Sequence, residues 1–216
     1  MPALSNGHST KHGTEISLRL ALVRRLREDS YGSYAVFASE ARYGSGDRRA
    51  DFISLTEVAH AFEIKSDFDS LARLPAQMKD YAKTFDLVTV VTTVQHLQKV
   101  RKLISKKAGL WLYDAGTLSV VRNASRNYRL SKLHLASGCN KDSLIGALHG
   151  AKAAERIETL QGLAVKKLNI AELRDLFHRE LQRRYSATSE CFVKETDGQL
   201  EPEDLLLLRR ASRIAA

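Results

Sequence analysis

The spacing of apolar positions changes several times along the chain, and each spacing predicts a different element. Over 14–28, TEISLRLALVRRLRE, the residues Leu18, Leu22 and Leu26 form one stripe with arginines elsewhere, the pattern of an amphipathic helix. Thr14 is placed to cap it, without a Glu three residues on to complete a capping box. A turn at DSYGS leads to YAVFASEARY, an expected strand, and GSGD (44–47) is turn chemistry. Two short runs, ADFISL (50–55) and VAHAFEIK (58–65), are joined around Thr56 and Glu57 as a hairpin. The next helix is expected from about Ser70 to Thr84, on the stripe Leu71, Leu74, Met78, Tyr81 and Phe85, with Pro75 marking either a bend or the true start. DLVTVVTT (86–93) is apolar and β-branched, which suits a buried strand. A basic helix, QHLQKVRKLISKKA, and two short strands, GLWLYDA and TLSVVRN, come next. From Lys141 onward the spacing is helical in DSLIGALHGAKAAERIETL, NIAELRDLFHRELQRRY and PEDLLLLRRASRI. The layout is a flexible tail (1–13), a mixed-sheet core (14–125) and a helical C-terminal region (126–216).

Strand parity singles out a set of charged residues. Along 59–65, Ala59, Ala61, Glu63 and Lys65 point one way, and His60, Phe62 and Ile64 the other. The Phe62 and Ile64 face is assigned to the core. A hairpin turn centred on Glu57 sets Asp51 opposite Glu63, and opposed side chains lie ~5 Å apart at Cβ. Two carboxylates at that distance repel unless a cation sits between them. Mg²⁺ favours one or two carboxylates, several waters and a substrate phosphate. Glu15 is a third acid, on the apolar stripe of the first helix; it reads equally as a first-turn acid facing water. Lys65 beside the acids is either a salt bridge or a group that positions a nucleophile and stabilises charge on a phosphate. Gln77 and Tyr81 lie one helical turn apart; by spacing alone they are a stripe-edge glutamine and a core tyrosine.

Composition narrows the class. At 216 residues, 44% hydrophobic and 27% charged, the chain can bury a sizeable core. It shows no apolar stretch of the ~20 residues that span a membrane, the stretch MPALSNGHSTKHGTE has no apolar core like that of a secretory signal, and its two cysteines suit a reducing cytoplasm. A net charge of +9 favours polyanions. Lys99, Arg101, Lys102, Lys106 and Lys107 form a basic stretch that reads as a DNA-backbone track or as a solvated helix face. Trp111 is read as core, and the histidines lack metal-ligand spacing.

Asp51, eleven residues, then Glu63-Ile64-Lys65 resembles the signature of the PD-(D/E)XK nuclease superfamily, and Gln77-Met78-Lys79-Asp80-Tyr81 resembles the QxxxY motif of its RecB-like members. The fuller string DRRADFISL…FEIKSDFDSLARLPAQMKDYAKTFD is similar to the sce7726-like family within it. Ala50 stands where the superfamily name has proline, and Asp47 is a rival acid in the same turn. The resemblance spans about 14–115 and implies an α/β fold, a restriction-endonuclease-like αβββαβ core with a central mixed sheet. It also implies that Asp51, Glu63 and the Ile64 backbone carbonyl ligate Mg²⁺ or Mn²⁺ and that Glu15 completes the acidic site. Lys65 would then activate or position the attacking water, while Gln77 and Tyr81 hold Lys65 or a phosphate. The implied activity is a Mg-dependent deoxyribonuclease, acting in repair, phage biology or defence. DNA is the expected partner, with RNA a second polyanion open to the same surface.

Two other function classes stand beside it. One is a catalytically inactive nucleic-acid-binding protein on the same fold. The other is a protein-interaction module, a homodimer through C-terminal helices whose leucine run EPEDLLLLRRASRI would be exposed unless it packs on the core or on another chain.

Overall fold

The computed structural model describes residues 13–29, 35–196 and 200–209. The chain runs α1 (Glu15–Asp29), β1 (Val36–Arg42), β2 (Arg49–Leu55), β3 (Ala59–Lys65), α2 (Leu74–Tyr81) and β4 (Leu87–Thr93). It continues with α3 (Val94–Leu103), β5 (Gly109–Asp114) and β6 (Thr117–Arg122). The C-terminal part holds α4 (Lys132–Ser137), α5 (Lys141–Ala147), α6 (Ile157–Lys167), α7 (Ile170–Glu195) and a 3₁₀ helix, Pro202–Arg209. From α1 to β4 the order is αβββαβ. The six strands lie side by side in sequence order; β3, β4 and β5 are parallel and the other neighbours antiparallel, so the sheet is mixed.

The β2–β3 ladder pairs Phe52 with Phe62, Ile53 with Ala61, Ser54 with His60 and Leu55 with Ala59. One further step in that register sets Asp51 opposite Glu63. The expectation of a single core face is corrected. Phe52, Phe62, Ile64, Val91 and Trp111 pack beneath Leu18, Leu22 and Leu26 of α1. The other face, with Ile53, Ala61, Val90 and Leu110, packs against Leu74 and Met78 of α2, Val100 of α3 and Phe177 of α7. Parallel neighbours need crossover helices, which cover the second face of a sheet. Glu63 and Lys65 therefore point into packed protein, at 0% and 8% exposure.

Several elements differ from the sequence reading. Pro75 sits in the first turn of α2, so that helix begins at Leu74 and the preceding residues are turns. Helix α4 was not expected. The leucine run coils as a 3₁₀ helix whose Leu205 and Leu208 join the α1 cluster, so the patch that motivated a homodimer finds much of its cover within the chain. Leu206 stays 54% exposed. Of the tail expected over 1–13, only Gly13 is among the described residues. It is buried, with its N–H donating to Asp67 Oδ2 at 2.8 Å. The DSYGS turn lies largely outside the described residues, as does the end of the last helical run. Helix α7 lies along the edge strand β1, where Ser189 Oγ accepts from the Phe37 N–H at 2.9 Å and occupies a donor that edge strands otherwise expose. No helix of the described residues is long and apolar enough to cross a membrane. Cys139 is buried, Cys191 is exposed, and both are free.

Candidate active site

Three strands and one helix build a partly buried ionic cluster. On β3, Lys65 Nζ donates to Glu63 Oε1 at 2.7 Å, and Glu63 Oε2 is buried with no hydrogen-bond partner. On β2, Asp51 Oδ2 accepts from the Ile64 N–H at 2.8 Å. The N–H and C=O of one strand residue face the same neighbouring strand. The Ile64 carbonyl is therefore aimed toward the Asp51 side. Burial, and after it the Glu63 charge, pushes the Asp51 carboxyl up to about 7 against the opposing pull of the Ile64 N–H, Arg19 and Lys65.

The β1–β2 ladder is interrupted beside Asp51. Ser39 pairs with Phe52 and Ala41 with Ala50, while Glu40, which would face Asp51, has φ +52°. That left-handed conformation is unusual outside glycine. It leaves the Asp51 carbonyl free to accept from Arg19 Nη1 at 2.8 Å. Arg19, only 3% exposed, also donates to Ser39 Oγ, to Glu40 Oε1 at 2.5 Å and to Glu15 Oε1 at 2.7 Å. Four carboxylates, on Glu15, Glu40, Asp51 and Glu63, thus meet two cations, Arg19 and Lys65. The local excess of negative charge is what a divalent cation balances.

Of the residues singled out in the sequence, Asp51, Glu63, Ile64 and Lys65 come together. Glu15 does not join them directly. Its side chain is 52% exposed and is spent on Arg19, four residues along the same helix. Among the described residues no three His, Cys, Asp or Glu side chains are placed to hold a metal. Tyr81 is buried; its hydroxyl donates to the Arg49 carbonyl at 3.2 Å. Burial, then the Glu63 and Asp51 charges, hold its phenol well above its ordinary value. Gln77 Oε1 is a second buried acceptor without a partner. Asp47, the rival acid, is 93% exposed and only approaches Arg42 at 3.8 Å. Lys99, Arg101, Lys102, Lys106 and Lys107 are exposed on α3 and the turn after it, outside the bonded cluster.

Arg19 and Glu40 were missed in the sequence. The signal for Arg19 was present: it lies four residues after Glu15 and falls within the buried set Leu18, Leu22, Val23 and Leu26. Nothing in the sequence marks Glu40, because a left-handed glutamate has no compositional signature.

The donor set fits a hard divalent cation. It combines two carboxylates of a like-charge pair, Glu63 buried and Asp51 half-buried, with an acceptor oxygen without a donor and a carbonyl on the same flank. Fold and cluster together define the class: a mixed-sheet α/β protein with an acid–acid–lysine centre on adjacent strands. Residues 9–209 match the family described as Bacteriophage P4 protein cII, and the chain belongs to that family. Protein cII of Enterobacteria phage P4 is 29% identical over 214 residues, covering 92% of this chain and 79% of that protein. Among solved structures, a protein of unknown function from Silicibacter pomeroyi matches 54% of this chain and 75% of its own, with 21% identity and a TM-score of 0.41.

Proposed function

We propose that this protein is a metal-dependent nuclease that hydrolyses phosphodiester bonds of DNA. The observation that carries the reading is the pairing of half-buried Asp51 with fully buried Glu63, whose Oε2 is unpartnered and whose other oxygen lies 2.7 Å from the Lys65 ammonium. The PD-(D/E)XK resemblance and the net charge of +9 support the choice of substrate.

In this reading Asp51, Glu63 and the Ile64 carbonyl hold Mg²⁺ or Mn²⁺. Such an ion polarises a phosphoryl oxygen and stabilises charge developing on it. Lys65 keeps two further N–H donors beyond the one given to Glu63. These orient the attacking water and stabilise the phosphate as negative charge builds on it. Gln77 Oε1 supplies an acceptor for that water or for Lys65. Arg19 acts through the backbone: by holding the Asp51 carbonyl it fixes the strand that carries the carboxylate. Incubating the full chain with DNA and Mn²⁺ should give cleavage, and Asp51→Ala or Lys65→Ala should abolish it. Cleavage equal in wild type and both variants would assign the activity elsewhere.

One observation favours a second reading. Lys65 and Glu63 already form a direct, buried ion pair, which alone explains both residues in a nucleic-acid-binding protein without catalysis. That protein would bind DNA with Asp51→Ala as well as without it, and would hydrolyse none in any divalent metal.

A further inference from the structure

Arg42 and Arg49 are direct cross-strand partners on the β1–β2 ladder. Like charges directly opposite one another destabilise a sheet, and guanidinium groups are donors only, so they cannot satisfy each other. Arg209, from the 3₁₀ helix, joins them around a cleft of about 550 Å³ that Glu40 and Tyr185 also line. All three arginines are exposed. Their one ion pair among the described residues is Arg42 with Asp47, at 3.8 Å between largely exposed groups, and such pairs are worth little. The acid of the cleft, Glu40, is already bonded to Arg19, and the Tyr185 hydroxyl donates to the Arg42 carbonyl at 3.3 Å. Permanent positive charge therefore exceeds the acceptors that face it.

The cleft adjoins the acid–acid–lysine centre. Glu40 of the cleft stands across the ladder from Asp51, and Arg49 precedes Asp51 by two residues, ~6.6 Å along the strand. Its carbonyl receives the Tyr81 hydroxyl. Guanidinium forks match phosphate oxygens in pairs, which a lysine cannot do.

We propose that the cleft of Arg42, Arg49 and Arg209 is a phosphate subsite, holding the backbone of a nucleic-acid strand next to the phosphate at Asp51, Glu63 and Lys65. The nature of the ligand rests on the nuclease reading; the charge arrangement does not. The test is fluorescence anisotropy of a labelled single-stranded oligodeoxynucleotide with the full chain in EDTA, across a series of KCl concentrations. Arg42→Gln/Arg49→Gln should bind about tenfold or more weakly, with a salt slope shallower by about 0.7 for each phosphate that is no longer neutralised. Arg42→Lys/Arg49→Lys should keep most of the slope, because the charge remains, while losing part of the affinity. Wild-type affinity and slope in the glutamine variant would overturn the proposal. Thermal protection of wild type by inorganic phosphate, without oligonucleotide binding, would overturn the strand assignment in favour of a free anion. Binding in EDTA needs no hydrolysis. An inactive wild type whose slope depends on Arg42 and Arg49 therefore supports the subsite and defeats the nuclease reading, while cleavage with an unchanged slope does the reverse.

Discussion

Asp51→Asn should stabilise the metal-free protein at about pH 8, although it removes a charged group from the candidate site. The native carboxyl is raised from 3.8 to about 7, by burial first and by Glu63 second. Between those values the native state retains a proton that the unfolded chain has released. Stability therefore falls as the pH rises through that window, and the full penalty is present above about 7. Each pKa unit corresponds to ~1.4 kcal/mol, so a displacement of this size sets a ceiling of ~4 kcal/mol. Coupling to Glu63 and partial access of solvent bring the expected gain down to about 1–2 kcal/mol. Asparagine keeps the acceptor for the Ile64 N–H, so the change removes charge and little else. For a chain of this length 1 kcal/mol moves Tm by about 2–4 °C. Circular-dichroism melts in EDTA should show the variant several degrees above wild type at about pH 8, with the gap closing as the pH is lowered toward 4. Saturating Mn²⁺ should reverse the order, since an ion at ~100 times its Kd adds ~2.7 kcal/mol to a protein that binds it. A variant that melts at or below wild type at about pH 8 in EDTA, or a gap independent of pH, would refute the like-charge argument for the Asp51–Glu63 pair.

Three further outcomes follow from the packing. Gly138→Ala would set a Cβ 2.5 Å from Phe177 Cε2 and 2.6 Å from the Tyr43 carbonyl oxygen; a loss of about 1–3 kcal/mol is expected in urea unfolding, and an unchanged midpoint would show that α4 and α7 can part there. Burial alone would raise the Asp86 carboxyl, but hydrogen bonds from His178 and Arg174 outweigh it and hold the group below its ordinary value. Its contribution is present above about pH 4 and is lost as the pH falls further, so Arg174→Ala should cost ~2–3 kcal/mol near pH 7 and progressively less in acid; equal deficits at both pH values would contradict this. Tyr81→Phe removes one donor to the Arg49 carbonyl and should cost ~1 kcal/mol; Mn²⁺-dependent cleavage falling more than tenfold at that small stability cost would place the hydroxyl in the chemistry as well as the core.

The hairpin was legible because its pattern has period two and its turn is short. A register fixed at Glu57 carries Asp51 to its place opposite Glu63, and the four observed pairs from Phe52–Phe62 to Leu55–Ala59 follow that register. The second buried face was not legible. Ala59, Ala61, Glu63 and Lys65 read as a weakly apolar side, and their cover comes from α2, α3 and α7, distant in sequence. Two starts for α2 stay open in the sequence because the stripe from Leu71 onward has helical spacing; of these, Pro75 opens the helix. Arg19 was overlooked among the arginines of α1 because its carbonyl and hydroxyl partners lie on β1 and β2 and exist only once the sheet has formed.

The interruption at Glu40 omits a rung of the ladder without shifting its register: pairs on either side of it, Ser39 with Phe52 and Ala41 with Ala50, belong to one register. Register is thus what this pairing must preserve. Inserting or deleting a single residue in β2 ahead of Asp51 would slide the strand by half a pleat, turn the aspartate toward α1 and put an apolar neighbour in its place. Chains of varied length should therefore tolerate extra residues in the 44–47 turn far better than within 49–55. A one-residue frameshift of the strand would silence the centre while leaving every charged side chain in the polypeptide.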